Sequence, residues 1–202
     1  MLKKYPILRL RAEDFQFGDY NLGNLFATGL SMGFMLCIVN IGSVILQSSV
    51  NGLGTNVVAG HTGSRKIFEM MAVPSYAISM TIATYTSQNL GAKKIRRIRE
   101  GLISAIGVCF IWSTIVIIIS YTIGPNIAAA LTGTGNQEVV DTAALYMRIN
   151  SPFYYALCVL VVLRNCMQGL GRTIIPLVSS TVELVGKVVA VLWLTPVFGY
   201  VG

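Results

Sequence analysis

The sequence predicts an all-α integral membrane protein with five transmembrane helices. Three observations carry that expectation. Hydrophobic residues make up 54% of the 202 positions against 11% charged, and mean hydropathy is +0.68, far from the averages of soluble domains. The apolar residues gather into five runs, each long enough as a helix to cross a hydrocarbon core of about 30 Å, which takes roughly 20 residues. Lys and Arg fill alternate connections between these runs and are missing from the others, the charge asymmetry of a multi-pass membrane protein.

The opening stretch "MLKKYPILRLRAEDFQFGDYN" is basic but has no apolar core and no small-residue cleavage site. It therefore reads as a cytoplasmic connector over residues 1–22, not as a signal peptide. The first span, about 26–50, carries no charge and ends at the turn formers of "NGLGTN". The second, about 57–90, starts polar with His61, Arg65, Lys66 and Glu69 and is then uncharged from Met70 to Ala92. At about 1.5 Å per residue it exceeds the bilayer, so it must tilt, kink or protrude, and Pro74 is the natural kink site. The third, about 102–123, centres on "CFIWSTIVIIIS" and stops at Gly124 and Pro125. The stretch "GPNIAAALTGTGNQEVVD" then reads as a loop. The fourth, about 142–167, holds Arg148, Pro152 and Arg164 and ends at "QGLGR". The fifth, about 173–197, contains Glu183 and Lys187 and fades into "TPVFGYVG".

Orientation follows from the basic residues. They lie before the first span (Lys3, Lys4, Arg9, Arg11), after the second (Lys93, Lys94, Arg96, Arg97, Arg99) and after the fourth (Arg172), with none in "NGLGTN" or "GPNIAAALTGTGNQEVVD". This puts the N-terminus in the cytoplasm and the C-terminus outside. Ile95, Ile98 and Leu102 fall at helical spacing among the basic residues, which predicts a short amphipathic helix over Lys93 to Glu100 lying at the interface. Each basic residue there gains on the order of 1 kcal/mol beside an anionic leaflet.

Several function classes drop out. The net charge of +7 is clustered between apolar runs instead of spread over a polar surface, so the expected partner is the lipid bilayer and not nucleic acid. Cys37, Cys109, Cys158 and Cys166 lie in apolar stretches at no metal or redox spacing and read as buried, reduced thiols, with Cys158 and Cys166 able to share a helix face. There is no phosphate loop, no nucleophile with its base and a single His. An enzyme, a cofactor or a bound metal is therefore not expected.

"NGLGTNVVAGHTGSRKI", followed by "MTIATYTSQNLGAKKIRRIREG", resembles the MATE family, the multidrug and toxic compound extrusion transporters. The family pattern is an N-G-x-G-T turn (Asn51, Gly52, Gly54, Thr55), then Q-N-x-G-A (Gln88, Asn89, Gly91, Ala92) before a basic helix ending in Gly (Arg97, Gly101). "LRNCMQGLGRTIIPLVSSTVELVGKVVAVLWLTPVFGYVG" is similar to the family's tenth and eleventh helices, with Gln168, Gly169 and Gly171 in the turn between them. A MATE transporter has twelve helices in two six-helix lobes. The resemblance implies that residues 23–202 are helices seven to eleven of the second lobe, with residues 1–22 the link between lobes and the twelfth helix missing. It also implies secondary active efflux of amphipathic, often cationic, drug-like molecules from the cell membrane, coupled to Na+ or H+, with the N-terminal lobe as partner.

The candidate site residues are those that place polarity at membrane depth, where an ionisable group needs a partner or a water-filled path. His61, Arg65 and Glu69 are spaced four apart on one face of the second span; Arg65 and Glu69 either pair structurally or line a substrate cavity. Glu183 and Lys187 have the favoured acid-first order and read as a structural pair. Arg148 reads as reaching the external side and Arg164 as snorkelling to the cytoplasmic interface beside Arg172. Asn40 with Gln47, and Asn150 with Tyr154, share helix faces and either line the cavity or bond to neighbouring helices. Tyr76 and Tyr85, with Met32, Met35, Met70, Met71 and Met80, supply adaptable apolar wall or ordinary packing. In the family, coupling runs through membrane carboxylates, and Glu69 is the candidate here; the first span has none and the fourth only Asp141 at its start. Two other readings stay open. A lipid-linked oligosaccharide flippase of the same superfamily would want more basic residues in the cavity than Arg65, Lys66 and Arg148, and a truncated membrane fragment would transport nothing.

Overall fold

The computed structural model describes residues 21–132, 137–194 and 197. Among the described residues there is no strand. The elements are α1 (Asn21–Asn51), α2 (Thr55–Gly91), α3 (Ile95–Thr122), α4 (Gly124–Thr132), α5 (Gln137–Asn150), a 3-10 turn (Ser151–Phe153), α6 (Tyr154–Gly169), α7 (Ile174–Val189) and a π turn (Ala190–Leu194). Five stretches are long and apolar enough to cross a membrane: Phe26–Asn51, Thr55–Gly91, Ile95–Thr122, Gln137–Gly169 and Ile174–Trp193. The expected connector over residues 1–22 lies outside the described residues except for its last two positions, which are helical.

Three local expectations are corrected. The basic segment Lys93 to Glu100 is not a separate interfacial helix: α3 begins at Ile95 and runs unbroken to Thr122. Nothing between Ile95 and Leu102 except Gly101 weakens a helix, and Arg96 pairs with Glu100 at 2.7 Å one turn on, so the apolar span simply extends backwards. The stretch after Thr122 is largely helical, because "PNIAAALT" is rich in helix formers behind a Pro suited to a first turn, and it forms α4. The fourth span is broken at Ser151–Phe153, where Pro152 has no N–H to give to the helical ladder. By contrast, α2 continues through Pro74.

The turns explain the Gln- and Gly-rich motifs. After α6, Gly171 takes φ 73°, its N–H donates to the Gln168 carbonyl at 2.9 Å, and the Arg172 N–H reaches back to Met167 at 2.9 Å. This is a Schellman motif, and a left-handed residue at its corner favours glycine. The turn after α2 has the same wiring, with Lys93 N–H to Leu90 carbonyl at 2.9 Å and Lys94 N–H to Asn89 carbonyl at 2.8 Å. Its left-handed corner, φ 56°, is Lys93 itself. A side chain there is disfavoured, so Lys93→Gly should raise stability by up to about 1 kcal/mol, read as a higher unfolding midpoint in detergent; a lower midpoint would contradict the geometry.

The helices pack as a bundle and a pair. α2 lies against α3, α5 and α6, while α1 packs along α7, and the two groups meet through α6–α7 and α1–α2. The bundle core is a stripe from each of three helices: Ala72, Ser75, Ser79, Ile82 and Thr86 on α2; Cys109, Ser113, Val116 and Ser120 on α3; Tyr154, Cys158, Val162 and Cys166 on α6. Spacings of three and four keep each stripe on one face. Many of these residues are small, which lets helices in lipid approach closely where hydrophobic burial gives little. A Cβ on Gly169 would strike the Ala83 carbonyl and lie 2.9 Å from the Thr86 Cβ. Several buried hydroxyls turn back onto their own helices, as in Ser79 to the Tyr76 carbonyl (2.7 Å) and Ser113 to the Cys109 carbonyl (2.8 Å). That removes the penalty of an unsatisfied polar group in a dry core.

Candidate functional site

Two clusters of charged groups lie on the membrane-spanning helices, one along α2 and one across α6 and α7. On α2 the exposed residues Glu69, Val73, Tyr76 and Met80 follow one another at helical spacing. Arg65 Nε donates to Glu69 Oε1 at 2.9 Å, an ion pair along the helix. The second cluster is Arg164 on α6 with Ser179, Glu183 and Lys187 on α7. Arg164 Nη2 donates to Glu183 Oε2 at 2.8 Å, and Lys187 Nζ to Glu183 Oε1 at 2.8 Å. Arg164 Nε and Nη2 also reach Ser179 Oγ at 3.1 and 3.0 Å. Tyr76 lies within electrostatic range of Glu183, Glu69 and Arg164. It therefore connects the two charge clusters.

Arg164 is a correction. Instead of snorkelling towards Arg172, it turns inward and is only 12% exposed, because a carboxylate lies within its reach. The register of the α6–α7 hairpin accounts for this: Arg164 stands as far before the end of α6 at Gly169 as Ser179 stands after the start of α7 at Ile174. Folding the two helices back on each other places the guanidinium beside Ser179 and the next turn, which holds Glu183. The expected Glu183–Lys187 pair is present but shared. Lys187 also runs close past α1, where a Cβ on Gly42 would sit 2.9 Å from its Cδ.

The other candidates are placed as follows. Asn40 donates to its own Leu36 carbonyl (2.8 Å), Gln47 to Asn51 Oδ1 (3.1 Å) and Asn150 to its own Tyr146 carbonyl (3.0 Å). These amides are thus satisfied within single helical segments. Tyr154, read as lining the cavity or bonding to a neighbouring helix, is fully enclosed and meets Phe68 edge-on at 5.0 Å. His61 is also enclosed and meets Tyr146 edge-on at 5.0 Å. With Phe68 against Tyr146 at 6.1 Å, these rings form an aromatic ladder joining α2 to α5 and α6. Helix periodicity alone did not reveal it, since the partners lie on different spans. Met70 and Met80 are exposed on α2 and Met32 on α1, whereas Met71 packs against the core. Met35 on α1 accepts a contact from Gln168 Nε2 at 3.4 Å.

The family-motif residues act in turns and contacts. Asn51 ends α1, Gly52 N–H closes onto the Ser49 carbonyl at 3.2 Å, and Gly54 (φ 107°) leads into α2 at Thr55. The Gln88 carbonyl accepts from Ala92 N–H at 3.1 Å just past Gly91, the last residue of α2. Arg97 N–H bonds to the Lys94 carbonyl at 3.0 Å as α3 starts, and Gly101 is covered by the Tyr85 ring. Of the cysteines, Cys37 is exposed, which corrects the expectation that all four are buried. Cys158 contacts Ser113 (3.2 Å) and Ser75 (3.4 Å), while Cys166 contacts Thr86 (3.6 Å), so the two thiols on one face serve separate helix contacts.

Among curated proteins, no relative matches this chain. The sequence model of the MatE family does match, over residues 31–193. That range runs from within α1 to the end of the fifth span and includes the turns and both charge clusters. Its members are transporters and not enzymes. With five spans and a match of that extent, the chain belongs to the MatE family of membrane efflux transporters and is a multi-pass membrane protein.

Proposed function

We propose that the chain is the second lobe, helices seven to eleven, of a multidrug antiporter that exports amphipathic, often cationic, compounds by rocking against an N-terminal lobe. The observation that carries the reading is the charged surface around Tyr76. Carrying Arg65, Glu69, Arg164, Glu183 and Lys187 on spans of this length is unfavourable in lipid unless they face a water-filled cavity or one another. Glu69 is the coupling candidate: its side chain is 61% exposed and, among the described residues, held by Arg65 alone, so a Na+ or H+ reaching it need displace one partner there. The positive connections favour an orientation with the Lys93 and Arg172 turns in the cytoplasm and the 124–141 segment outside a plasma membrane. The flippase reading gains two basic residues from Arg164 and Lys187, but half of that positive charge is already matched by Glu183.

Proteoliposomes carrying this chain with a first MATE lobe should expel a fluorescent cationic dye when a Na+ or H+ gradient is imposed, and the chain alone should not. Expulsion by the chain alone would sink the two-lobe reading. Glu69→Gln should retain dye binding but lower gradient-driven export about tenfold or more, as removal of a charged coupling partner requires. Unchanged export would remove Glu69 from the mechanism.

A further inference from the structure

Two cations share one carboxylate at the junction of α1, α6 and α7. Each oxygen of Glu183 is taken by a different partner, Arg164 at 2.8 Å and Lys187 at 2.8 Å. One positive charge is therefore left over. The surrounding elements do not balance it. α1 has no Asp, Glu, Lys or Arg; α6 has only Arg164 and α7 only Glu183 and Lys187. On α2, Glu69 is already paired with Arg65, and Lys66 adds a further positive charge.

Hydrogen-bond donors are in excess too. Arg164 uses Nε and Nη2, and Lys187 uses one ammonium proton on Glu183. Among the described residues, Arg164 Nη1 and the remaining Lys187 protons have no acceptor. Ser179 Oγ accepts from Arg164 twice and keeps its own proton to donate. The group is deep. At about 1.5 Å per residue, Glu183 lies about 14 Å and Lys187 about 20 Å along the span that starts at Ile174, in a bilayer core of about 30 Å. It is also reachable, since Glu183 and Lys187 keep 28% and 27% of their side-chain exposure.

We infer that this cluster is a binding site for a single oxyanion, a carboxylate or phosphate carried on an amphiphile. One negative charge cancels the excess, and its oxygens accept the unused protons of a planar guanidinium and a mobile ammonium, donors suited to such groups. The uncharged surface of α1 and the Tyr76 ring provide apolar contact for the tail. The inference concerns binding alone, so its failure leaves the export reading standing, and failed export leaves the site standing.

The test uses the full 202-residue chain in phosphatidylcholine nanodiscs. Binding of labelled dodecanoate and of dodecyl phosphate is measured above that of empty discs, with dodecyltrimethylammonium as competitor. Both anions should bind saturably, and the cation should not displace them. Lys187→Gln should weaken binding about tenfold or more, Glu183→Gln should tighten it, and Lys187→Arg should preserve it. Opposite shifts from two neighbouring neutralisations cannot come from misfolding. In discs containing phosphatidylglycerol, loss of dodecanoate binding identifies a lipid headgroup as the occupant, and unchanged binding identifies a free amphiphile; either supports the site. Absence of saturable binding, equal affinity in wild type and both Gln variants, or displacement by the cation overturns it.

Discussion

Glu183→Leu should destabilise the protein by about 3 kcal/mol, the low end of the loss when one partner of a buried ion pair is removed, because Glu183 and Lys187 are only partly buried. Among the described residues, the carboxylate is the only negative charge in contact with Arg164 and Lys187. Without it two cations face each other across the α6–α7 contact. The guanidinium is the more exposed to this loss, because it is only 12% accessible and has little room to withdraw. Neutralising the whole cluster, as Arg164→Met/Glu183→Leu/Lys187→Met, should return stability to within about 1 kcal/mol of wild type or above it, since an apolar replacement of a buried charge network is often neutral or stabilising. Unfolding midpoints in detergent decide the matter. A triple variant as unstable as the single one would mean that packing around position 183, and not charge, holds the hairpin.

Tyr154→Ala should cost about 3 kcal/mol. Tyr154 is fully enclosed at the meeting point of α2, α3 and α6, with Phe68 edge-on at 5.0 Å and Cys158 one turn further along the same stripe. Truncation leaves a cavity the size of a ring in a core of small residues that cannot close over it. The value sits at the low end for aromatic-to-alanine changes because the bundle's surroundings are apolar, so lost dispersion contacts outweigh lost transfer from water. Tyr154→Phe keeps the ring and should lose much less. Dye affinity gives a second readout: a Phe variant of normal stability but altered affinity would put Tyr154 on a cavity wall after all, against its enclosure.

The number of spans and their order were legible because bilayer thickness and charge asymmetry act on composition, which a single sequence displays directly. The glycines of "QGLGR" were legible for a different reason: a left-handed corner such as that at Gly171 favours glycine, and the close approach of α2 at Gly169 leaves no room for a side chain. Less was readable where an outcome depends on two distant segments. The basic run at Lys93 to Glu100 has the spacing of an interfacial helix, and spacing cannot tell such a helix from the projecting end of a span. That distinction rests on whether the chain bends at Gly101, and the packing of Tyr85 over that glycine keeps it straight. Arg164 was misplaced because a long basic side chain near a helix end has two destinations, the interface or a carboxylate. Only the register of the following helix chooses between them. His61 and Tyr154 were likewise read from their own helices, while their surroundings are made by Tyr146 and Phe68 on others.

The pairing of α1 with α7 has a consequence for how the protein is made. These helices leave the ribosome at opposite ends of the described fold, so α1 must wait in the bilayer without its mate until the rest has been threaded in. It can wait, because it has no charge and a helix satisfies the backbone groups of its interior by itself. α6 has no such independence: from the moment it enters until α7 follows, Arg164 lacks its carboxylate. The fifth span thus acts as a clasp, closing α1 into place and neutralising α6 in the same step. Before that step, the nascent lobe carries an exposed ionic defect that marks it as unfinished.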